Sequence, residues 1–291
     1  MDTDEQILLT DTLRKTMTTT TGAALYTALR DLGWHDLLTG PADTAEVAVP
    51  LVFRLLGETG AHAPLLNDVI AHAAGRPFGE AVPLPFTGGT WVRWDSDGPP
   101  GTPEPLDADL PLRRLGDTTE LPVAAAELPI GAARRALGWW LVGSARAMLG
   151  LARTHALERH QFGKPVAGFQ AIRHRLAESL VAVEGAEATL AVSPGDAHHP
   201  AHPDLHSPRP EESESLGALL AKAAAGRAAL VTARNCQQVL GGIGFTAEHE
   251  FHRHYRRVLV LDGLLGSARE LTREAGATLR DLGYAPRLAH L

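Results

Sequence analysis

A short segment in the second half of the sequence can bind an anion. Residues 158–165 read Glu-Arg-His-Gln-Phe-Gly-Lys-Pro, and Gln170 follows five residues later. The planar guanidinium of Arg159 can pair bidentately with phosphate, and Gly163 permits a turn that a side chain would strain. The same residues also suit an ordinary helix–helix connection with a stabilising arginine at the helix C-terminus.

A second segment offers exposed backbone rather than charge. Residues 237–245 read Gln-Gln-Val-Leu-Gly-Gly-Ile-Gly-Phe. Gly241 and Gly242 allow the main chain and a ligand to approach closely. The segment is not a Rossmann dinucleotide-binding fingerprint, because no predicted strand precedes it and no βαβ unit surrounds it. Taken alone, it is also explained as the glycine C-cap of a helix.

Several histidines have a simpler interpretation than metal binding. Four of them lie in the Pro-rich segment from Ser193 to Pro210. Such a segment provides no further contacts to orient imidazole rings, and no cysteine lies near, so we expect no metal site. These histidines are His198, His199, His202 and His206.

The region after the paired glycines is rich in basic side chains. We expect its histidines on the surface rather than as general bases, and its arginines either on phosphate groups or in ion pairs. The histidines are His249, His252 and His254, and the arginines are Arg253, Arg256 and Arg257. Trp139 and Trp140 are expected in the core or an interface, and Cys236 is expected to be a small apolar filler.

The elements that must position these segments are predicted from periodicity. Residues 1–75 form an N-terminal helical domain, in which Thr10 or Asp11 caps one helix. Another helix becomes regular at Pro50 and ends at Gly57 and Gly60.

Prolines crowd residues 76–128, which predicts a small β segment with long turns. Within it, residues 89–95 alternate and are rich in strand-forming residues. Residues 111–115 and 121–124 are expected to form further short strands.

Residues 129–291 show four apolar stripes at helical spacing, which predicts an antiparallel four-helix bundle. The first helix is expected to end near His160, and the fourth is expected to be continuous. The fourth stripe consists of Val258, Leu261, Leu265, Ala268, Leu271 and Ala275.

Composition excludes several classes of protein. The chain has 291 residues, 27 Lys and Arg against 34 Asp and Glu, and a formal net charge of −7. This acidic balance disfavours a general nucleic-acid binder, which needs a basic surface. One cysteine permits no internal disulfide. The acidic N-terminal sequence lacks signal-peptide features, and no apolar run reaches the length of a membrane span. We therefore expect a cytoplasmic protein without a membrane segment.

In combination, the two segments are much more specific than either alone. They resemble the acyl-CoA dehydrogenase family, whose C-terminal helical domain carries an Arg-x-Gln-Phe-Gly-x-Pro segment and later a Gln-x-x-Gly-Gly-x-Gly segment followed by Arg-x-Tyr-Arg. Residues 32–38 and 55–60 also look like the N-terminal helical domain of that family. The resemblance implies a mainly α, acyl-CoA dehydrogenase-like fold with a reduced β segment and a C-terminal four-helix bundle.

The resemblance also implies a cofactor. In the family these two segments bind the ADP half of FAD, largely across a subunit interface. Carried over, Arg159 meets the pyrophosphate and Phe162 packs beside the cofactor. Gln170 and Gln238 supply polar contacts. Gly241 and Gly242 let the backbone approach the dinucleotide.

The sequence departs from the family at the catalytic base, so no catalytic residue is assigned. Family members remove the α-proton of a thioester with a Glu, and the corresponding position here is Leu265. The alternative position, near Ala132–Arg135, also lacks a carboxylate, and Glu127 lies several residues away. The Thr-Glu-Pro-x-Ala-Gly-Ser-Asp stretch that covers the flavin in the family is missing.

The chain keeps the two segments that bind the ADP half of FAD in the family, but it lacks the catalytic Glu and the stretch that covers the flavin. This combination implies a partner. The chain is expected to be a shortened subunit of an α2β2 acyl-CoA dehydrogenase, like the paired subunits of actinobacterial steroid catabolism. It would lend FAD contacts to a full-length homologue that holds the catalytic Glu, for α,β-desaturation of an acyl thioester. Three alternatives stay open: a homo-oligomeric desaturase with Asp262 or Glu270 as a displaced base, a non-catalytic scaffold, and a desaturase of carrier-bound chains. For Asp262, a solvated helix charge is the preferred interpretation.

Overall fold

Five helices form the N-terminal part of the computed structural model, which describes residues 3–94, 104–107, 109–115, 128–192 and 210–284. The helical character predicted for this part of the chain is confirmed. The helices are α1 (Thr3–Thr19), α2 (Gly22–Asp31), α3 (Trp34–Thr39), α4 (Ala42–Thr59) and α5 (Leu65–Ala73).

Two predicted helix boundaries in this part are wrong. Helix α1 runs through Thr10 and Asp11, so neither residue caps it. Helix α4 begins at Ala42, before Pro50, and runs through Gly57, whereas its predicted end at Gly60, which has a φ of 67°, is confirmed. Continuing a helix through a proline costs about 3 kcal/mol. Burial of seven residues of α4, among them Phe53, offsets that cost.

A three-stranded antiparallel sheet follows, in the order β1-β2-β3. Its strands are β1 (Leu84–Phe86), β2 (Thr90–Trp94) and β3 (Leu112–Arg114), which confirms the strands predicted at residues 89–95 and 111–115. The strand predicted at residues 121–124 lies outside the described residues. The sheet also contacts the second half of the chain, because Leu265 donates its N–H to the Pro85 carbonyl at 2.8 Å.

The second half consists of a helical bundle. Its helices are α6 (Gly131–Glu158), α7 (Gln170–Ala191), α8 (Pro210–Leu240), α9 (Phe251–Gly263) and α10 (Ala268–Leu282), and a hairpin of β4 (His160–Gln161) and β5 (Lys164–Pro165) joins α6 to α7. Helices α6 and α7 are antiparallel, since Arg146 pairs with Glu184 and Glu187 at their middle while Arg135 reaches the Leu190 carbonyl.

The predicted continuous fourth helix is wrong. It is divided into α9 and α10 at Leu265, whose φ is 58°. A new helix starts at Ser267, because the side chain of Ser267 accepts the N–H of Glu270 and the Glu270 carboxylate accepts the N–H of Ser267. The residues of the apolar stripe are buried as predicted, but a stripe does not show where the backbone turns.

The N-terminal helices and the bundle meet at a close helix crossing. A Cβ atom on Gly143 of α6 would overlap the Arg54 carbonyl of α4, and one on Gly57 would overlap the Trp140 carbonyl and the Ser144 nitrogen. The two backbones are therefore in direct contact. The Trp140 ring is fully buried, 6.1 Å from Phe53 between ring centroids, which confirms it as core.

Contrary to the expectation that no apolar run is long enough, one stretch of the described residues, Leu216–Phe245, could cross a membrane by length and composition alone, and its most apolar window has a mean hydropathy of 1.3. Its most apolar window is 67% buried within the fold. It includes most of α8, which packs against α6, α7 and α10. These packing contacts account for its apolar composition.

Candidate functional site

The two sequence segments lie at the same end of the bundle. Gly131 of α6 lies beside Ala218 of α8, and Gly138 of the same helix lies beside Ala225. Both pairs have the same sequence offset, so α6 and α8 run parallel. The C-terminal end of α6 is therefore level with residue 245, just beyond α8.

A cleft between these ends shows the same proximity. It has a volume of about 340 Å³ and is lined by His155 and Glu158 of α6 and by His249 and Glu250 after α8. Burial lowers the pKa of His155, and the nearby charges of His249 and Arg159 lower it further. The fold thus brings together segments that are about 80 residues apart in the chain.

The first segment has the turn that was predicted. The Arg159 N–H donates to the His155 carbonyl at 2.8 Å and ends α6. Phe162 and Gly163 then have φ values of 51° and 78°. A positive φ is unusual for a bulky residue, and it holds the Phe162 side chain out of the core, where 91% of its surface is exposed.

The second segment leaves its glycines open. Helix α8 ends at Leu240, and a 3₁₀ turn spans Gly241–Phe245. Gly241 has a φ of 63°, while a Cβ on Gly242 would meet nothing within 4 Å. The described packing therefore does not require glycine at position 242. Beside it, Phe245 is 67% exposed.

The six predicted cofactor-binding residues lie at the same end of the bundle. Besides Phe162 and the two glycines, Arg159, Gln170 and Gln238 lie at this end of the bundle and are exposed. The Gln170 amide nitrogen lies 3.4 Å from His174 Nε2, one turn along α7. A guanidinium, two amides, an exposed ring and open backbone suit an extended anionic molecule with an aromatic group.

The position expected for a catalytic base is filled by apolar side chains and structural hydrogen bonds. Leu265 is fully buried. The Nε of Arg134 donates to its carbonyl at 3.1 Å, and Phe86 packs over the backbone of Gly263. Position 265 therefore offers no proton acceptor, and the carboxylates of Asp262 and Glu270 accept backbone N–H groups of Ala268 and Ser267 instead.

Asp262 is a structural residue, and its interpretation as a solvated charge is wrong. Only 13% of its side chain is exposed. Its carboxylate accepts the N–H of Ala268 at 3.1 Å and lies 4.0 Å from the ammonium of Lys222. It therefore caps α10 and partners a buried cation.

Glu270 is equally occupied. Its carboxylate accepts hydrogen bonds from the backbone N–H groups of Gly88 and Ser267, both at 2.9 Å, and from the Ser267 hydroxyl. These bonds lower its pKa to about 2. A carboxylate held in its charged form in this way is a weak proton acceptor, which disfavours it as a displaced base.

The basic residues of α9 also make structural contacts. Arg257 is buried and donates to the carbonyls of Gly60, Ala61 and Asp109. Arg256 pairs with Asp107 at 3.0 Å. Ion pairs are one of the two kinds of contact predicted for these arginines, and the structure shows them together with hydrogen bonds to carbonyls. The other kind, contact with phosphate groups, stays a prediction.

His254 was predicted on the surface, and this is wrong. It is 1% exposed, and burial lowers its pKa to about 3. Helix α9 turns this position toward the core. The thiol of Cys236 is also buried, as expected for an apolar filler, and burial raises its pKa to about 12.

Sequence reasoning missed Lys222. It is fully buried in α8 and donates to the carbonyls of Asp262 and Gly266, which holds the turn before α10. Burial lowers its pKa to about 8. One feature of the sequence could have indicated this role: Lys222 lies within an apolar helical stripe, in a chain that uses 24 Arg and only 3 Lys.

The four histidines of the Pro-rich segment, His198, His199, His202 and His206, and the distant Glu127 lie outside the described residues.

Comparison with known families decides the class of this fold. A model of the acyl-CoA dehydrogenase C-terminal domain matches residues 123–277, just over half of the chain. The chain belongs to the acyl-CoA dehydrogenase family. The family resemblance seen in the two segments is thereby confirmed.

Curated acyl-CoA dehydrogenases give matches of moderate identity. FadE34 of Mycobacterium tuberculosis is 34% identical over 220 residues, covering 73% of this chain and 29% of the relative. IpdE2 of the same organism is 35% identical over 132 residues, covering 45% of this chain and 36% of the relative. The chain thus spans about a third of the length of these relatives.

Solved structures share the fold over nearly the whole chain. A Tcur3481-Tcur3483 steroid ACAD variant has a TM-score of 0.67 and 20% identity, covering 96% of this chain and 98% of that one. The ChsE4-ChsE5 complex of Mycobacterium tuberculosis has a TM-score of 0.60 and 18% identity, covering 98% of each chain. The mainly α, acyl-CoA dehydrogenase-like fold predicted from the sequence is confirmed.

Proposed function

We propose that this chain is a subunit of a heteromeric, FAD-dependent acyl-CoA dehydrogenase that desaturates an acyl thioester between its α- and β-carbons. It supplies contacts to the ADP half of FAD, while a full-length homologous partner supplies the catalytic Glu. One observation carries this proposal. The end of the bundle that bears both segments is open, whereas the turn expected to bear the base is filled.

The filled turn argues against catalysis by this chain alone. Leu265 cannot accept a proton. The two nearby carboxylates, Asp262 and Glu270, are both engaged in capping helix α10. Proton abstraction would require one of them to leave its hydrogen bonds, which would cost the stability of the turn.

The open end argues for a ligand shared with a second surface. Phe162 and Phe245 expose most of their aromatic area to solvent, 91% and 67%. Together with the guanidinium of Arg159 and the open backbone, these two rings offer a surface that a ligand with an aromatic group would cover. The described residues place nothing over this end, so a bound dinucleotide would need cover from a partner.

The residues fit this role by their chemistry. Arg159 would pair with the pyrophosphate through its planar guanidinium. Gln170 and Gln238 would donate to polar groups of the dinucleotide. Gly242 would admit its close approach, since no side chain occupies that space. When bound, the flavin would accept the hydride that leaves the β-carbon.

The relatives support a heteromer and a steroid-derived substrate. One structural relative is described as a complex of two chains and another as a steroid ACAD named for a pair of chains. We therefore propose an acyl-CoA dehydrogenase homologue as the partner, in an α2β2 assembly, and an acyl thioester of steroid catabolism as the substrate.

Co-expression tests the proposal. The chain is produced alone and together with a full-length homologue encoded beside it, and both samples are examined by size analysis and visible absorbance. We expect a colourless chain alone and a yellow complex containing both chains. A lone chain that holds flavin and oxidises an acyl-CoA would refute the heteromer. A complex without flavin would instead support a non-catalytic scaffold.

Variants of the complex locate the flavin contacts. Arg159→Ala is expected to lower the flavin content of the copurified complex without preventing its assembly. Arg153→Ala is the matched control, because Arg153 is an exposed arginine of α6 that lies more than one turn before Arg159. Equal flavin content in both variants would contradict the role given to Arg159.

A further inference from the structure

A cavity of about 510 Å³ lies between the N-terminal helices and the bundle, far from the two segments. Helices α4 and α5 form one wall, and the beginning of α6 with the end of α7 forms the other. Trp139 of α6 lines it and is half-buried. At 1.5 Å per residue, Trp139 lies about 30 Å along the helix from Arg159.

The cavity is also separate from the Leu265 turn. Arg134 of α6 points toward that turn, where it donates to the Leu265 carbonyl. The cavity is lined by Ala132, Ala136 and Trp139 of the same helix. At 100° per residue these three lie roughly opposite Arg134 on the helix. A ligand in the cavity would therefore not contact the turn.

The lining favours an uncharged ligand. Most of it is aliphatic or aromatic, including Leu38, Val47, Val49, Pro50, Leu51, Val69 and Leu190, while its polar members are Gln6, Glu46, His72 and two arginines. Of its two arginines, Arg54 lies 3.4 Å from Glu58, and Arg135 donates to the Leu190 carbonyl at 2.7 Å. A charged ligand would have to compete with these contacts, whereas an apolar one would leave them intact.

The shape favours a small molecule over a protein surface. Residues from six helices, α1 and α3 to α7, line this concave space, and its volume lies within the range of sites that bury most of a drug-sized ligand. A concave apolar space of this size loses dispersion contacts while nothing fills it. Filling it with apolar atoms therefore stabilises the fold.

We propose that this cavity is a binding site for an uncharged, largely apolar small molecule, separate from the surface that bears the two segments. It does not depend on the proposed function, because none of its lining residues belongs to either segment.

Fluorescence of a neutral probe tests the site. N-phenylnaphthylamine is titrated into the full chain, and anilinonaphthalene sulfonate serves as its negatively charged counterpart. We expect saturable binding of the neutral probe at one site, with at least about tenfold weaker binding of the sulfonate. Binding without saturation, or equal affinity for both probes, would overturn the proposal.

Two substitutions locate the site. Ala45→Phe adds a ring to a lining position of α4 and is expected to weaken the neutral probe at least about tenfold. Ala42→Phe adds the same ring to an exposed position of that helix outside the cavity, and its affinity should equal that of the unchanged chain. Equal affinity of the two variants would place the probe elsewhere.

A second measurement covers the case in which Ala45→Phe unfolds the chain. Emission of the bound probe is excited through tryptophan in the unchanged chain and in Trp139→Phe. We expect a lower ratio of sensitised to direct emission in Trp139→Phe, because Trp139 lines the site while the other tryptophans remain as weaker donors. An unchanged ratio would refute the assignment.

Discussion

The crossing of α4 and α6 makes opposite predictions for two glycines of one helix. Gly143 faces the Arg54 carbonyl so closely that a Cβ atom would overlap it. Gly150, two turns later on α6, is exposed, and a Cβ there would meet nothing within 4 Å. The same Gly→Ala substitution therefore adds a clash at one position and only helix propensity at the other.

The magnitudes follow from these surroundings. Alanine is favoured over glycine in a helix interior by about 1 kcal/mol. The atom opposite Gly143 is a backbone carbonyl of a second helix, which cannot rotate away, so overpacking costs about 3 kcal/mol. The net loss for Gly143→Ala is about 2 kcal/mol, while Gly150→Ala gains about 1 kcal/mol.

Unfolding in urea, followed by far-ultraviolet circular dichroism, measures both variants against the unchanged chain. We expect a lower midpoint for Gly143→Ala, at an unchanged slope, and a slightly higher midpoint for Gly150→Ala. In a thermal scan the first variant should lose about 5 °C in Tm.

The reasoning fails if both variants shift in the same direction. A stabilised Gly143→Ala would mean that α4 and α6 are not in backbone contact. A destabilised Gly150→Ala would mean that this face of α6 is covered. Gly57→Ala, on the other side of the crossing, provides a repeat with the same expected sign.

Three further predictions concern protonation. The pKa of His254 falls from 6.5 to about 3 on folding, so the neutral, buried imidazole contributes its full stability above about pH 6.5. That stability is lost as the pH falls toward 3. His254→Leu should therefore flatten the pH dependence of the urea midpoint over this range. The pKa of Glu270 is likewise lowered, from 4.5 to about 2, so Glu270→Gln should remove a loss of stability that begins below about pH 4.5, seen as a shallower acid-unfolding curve. The Cys236 thiol, with its pKa raised to about 12, should react with a thiol reagent about a hundredfold more slowly in the native chain than in urea; similar rates in both states would contradict its burial.

Much of the fold followed from local pattern. Apolar stripes at helical spacing located α6, α7 and α8, and alternating residues located β2. These elements depend on which face of a short stretch is apolar, and a sequence shows that directly. The stripe through Leu265 was also real, yet its helix was interrupted by a left-handed residue whose N–H pairs with Pro85, about 180 residues away.

The candidate site, too, could be predicted from the sequence only in part. The spacing of an arginine, a turn glycine and a glycine pair was readable along the chain, as was the missing Glu at position 265. The meeting of the two segments was not, because it depends on the register of α6 against α8. The roles of the six residues toward FAD stay predictions.

Charged residues show most clearly what the sequence does not predict. Lys222, His254 and Arg257 look like ordinary polar residues in the sequence, and all three are buried. Burial changed their pKa values and committed Lys222 and Arg257 to carbonyls distant in the chain. The sequence determined the residue types, the helical faces and the two binding segments. Only the tertiary structure decided which polar groups lose their water, because desolvation depends on every element packed around them.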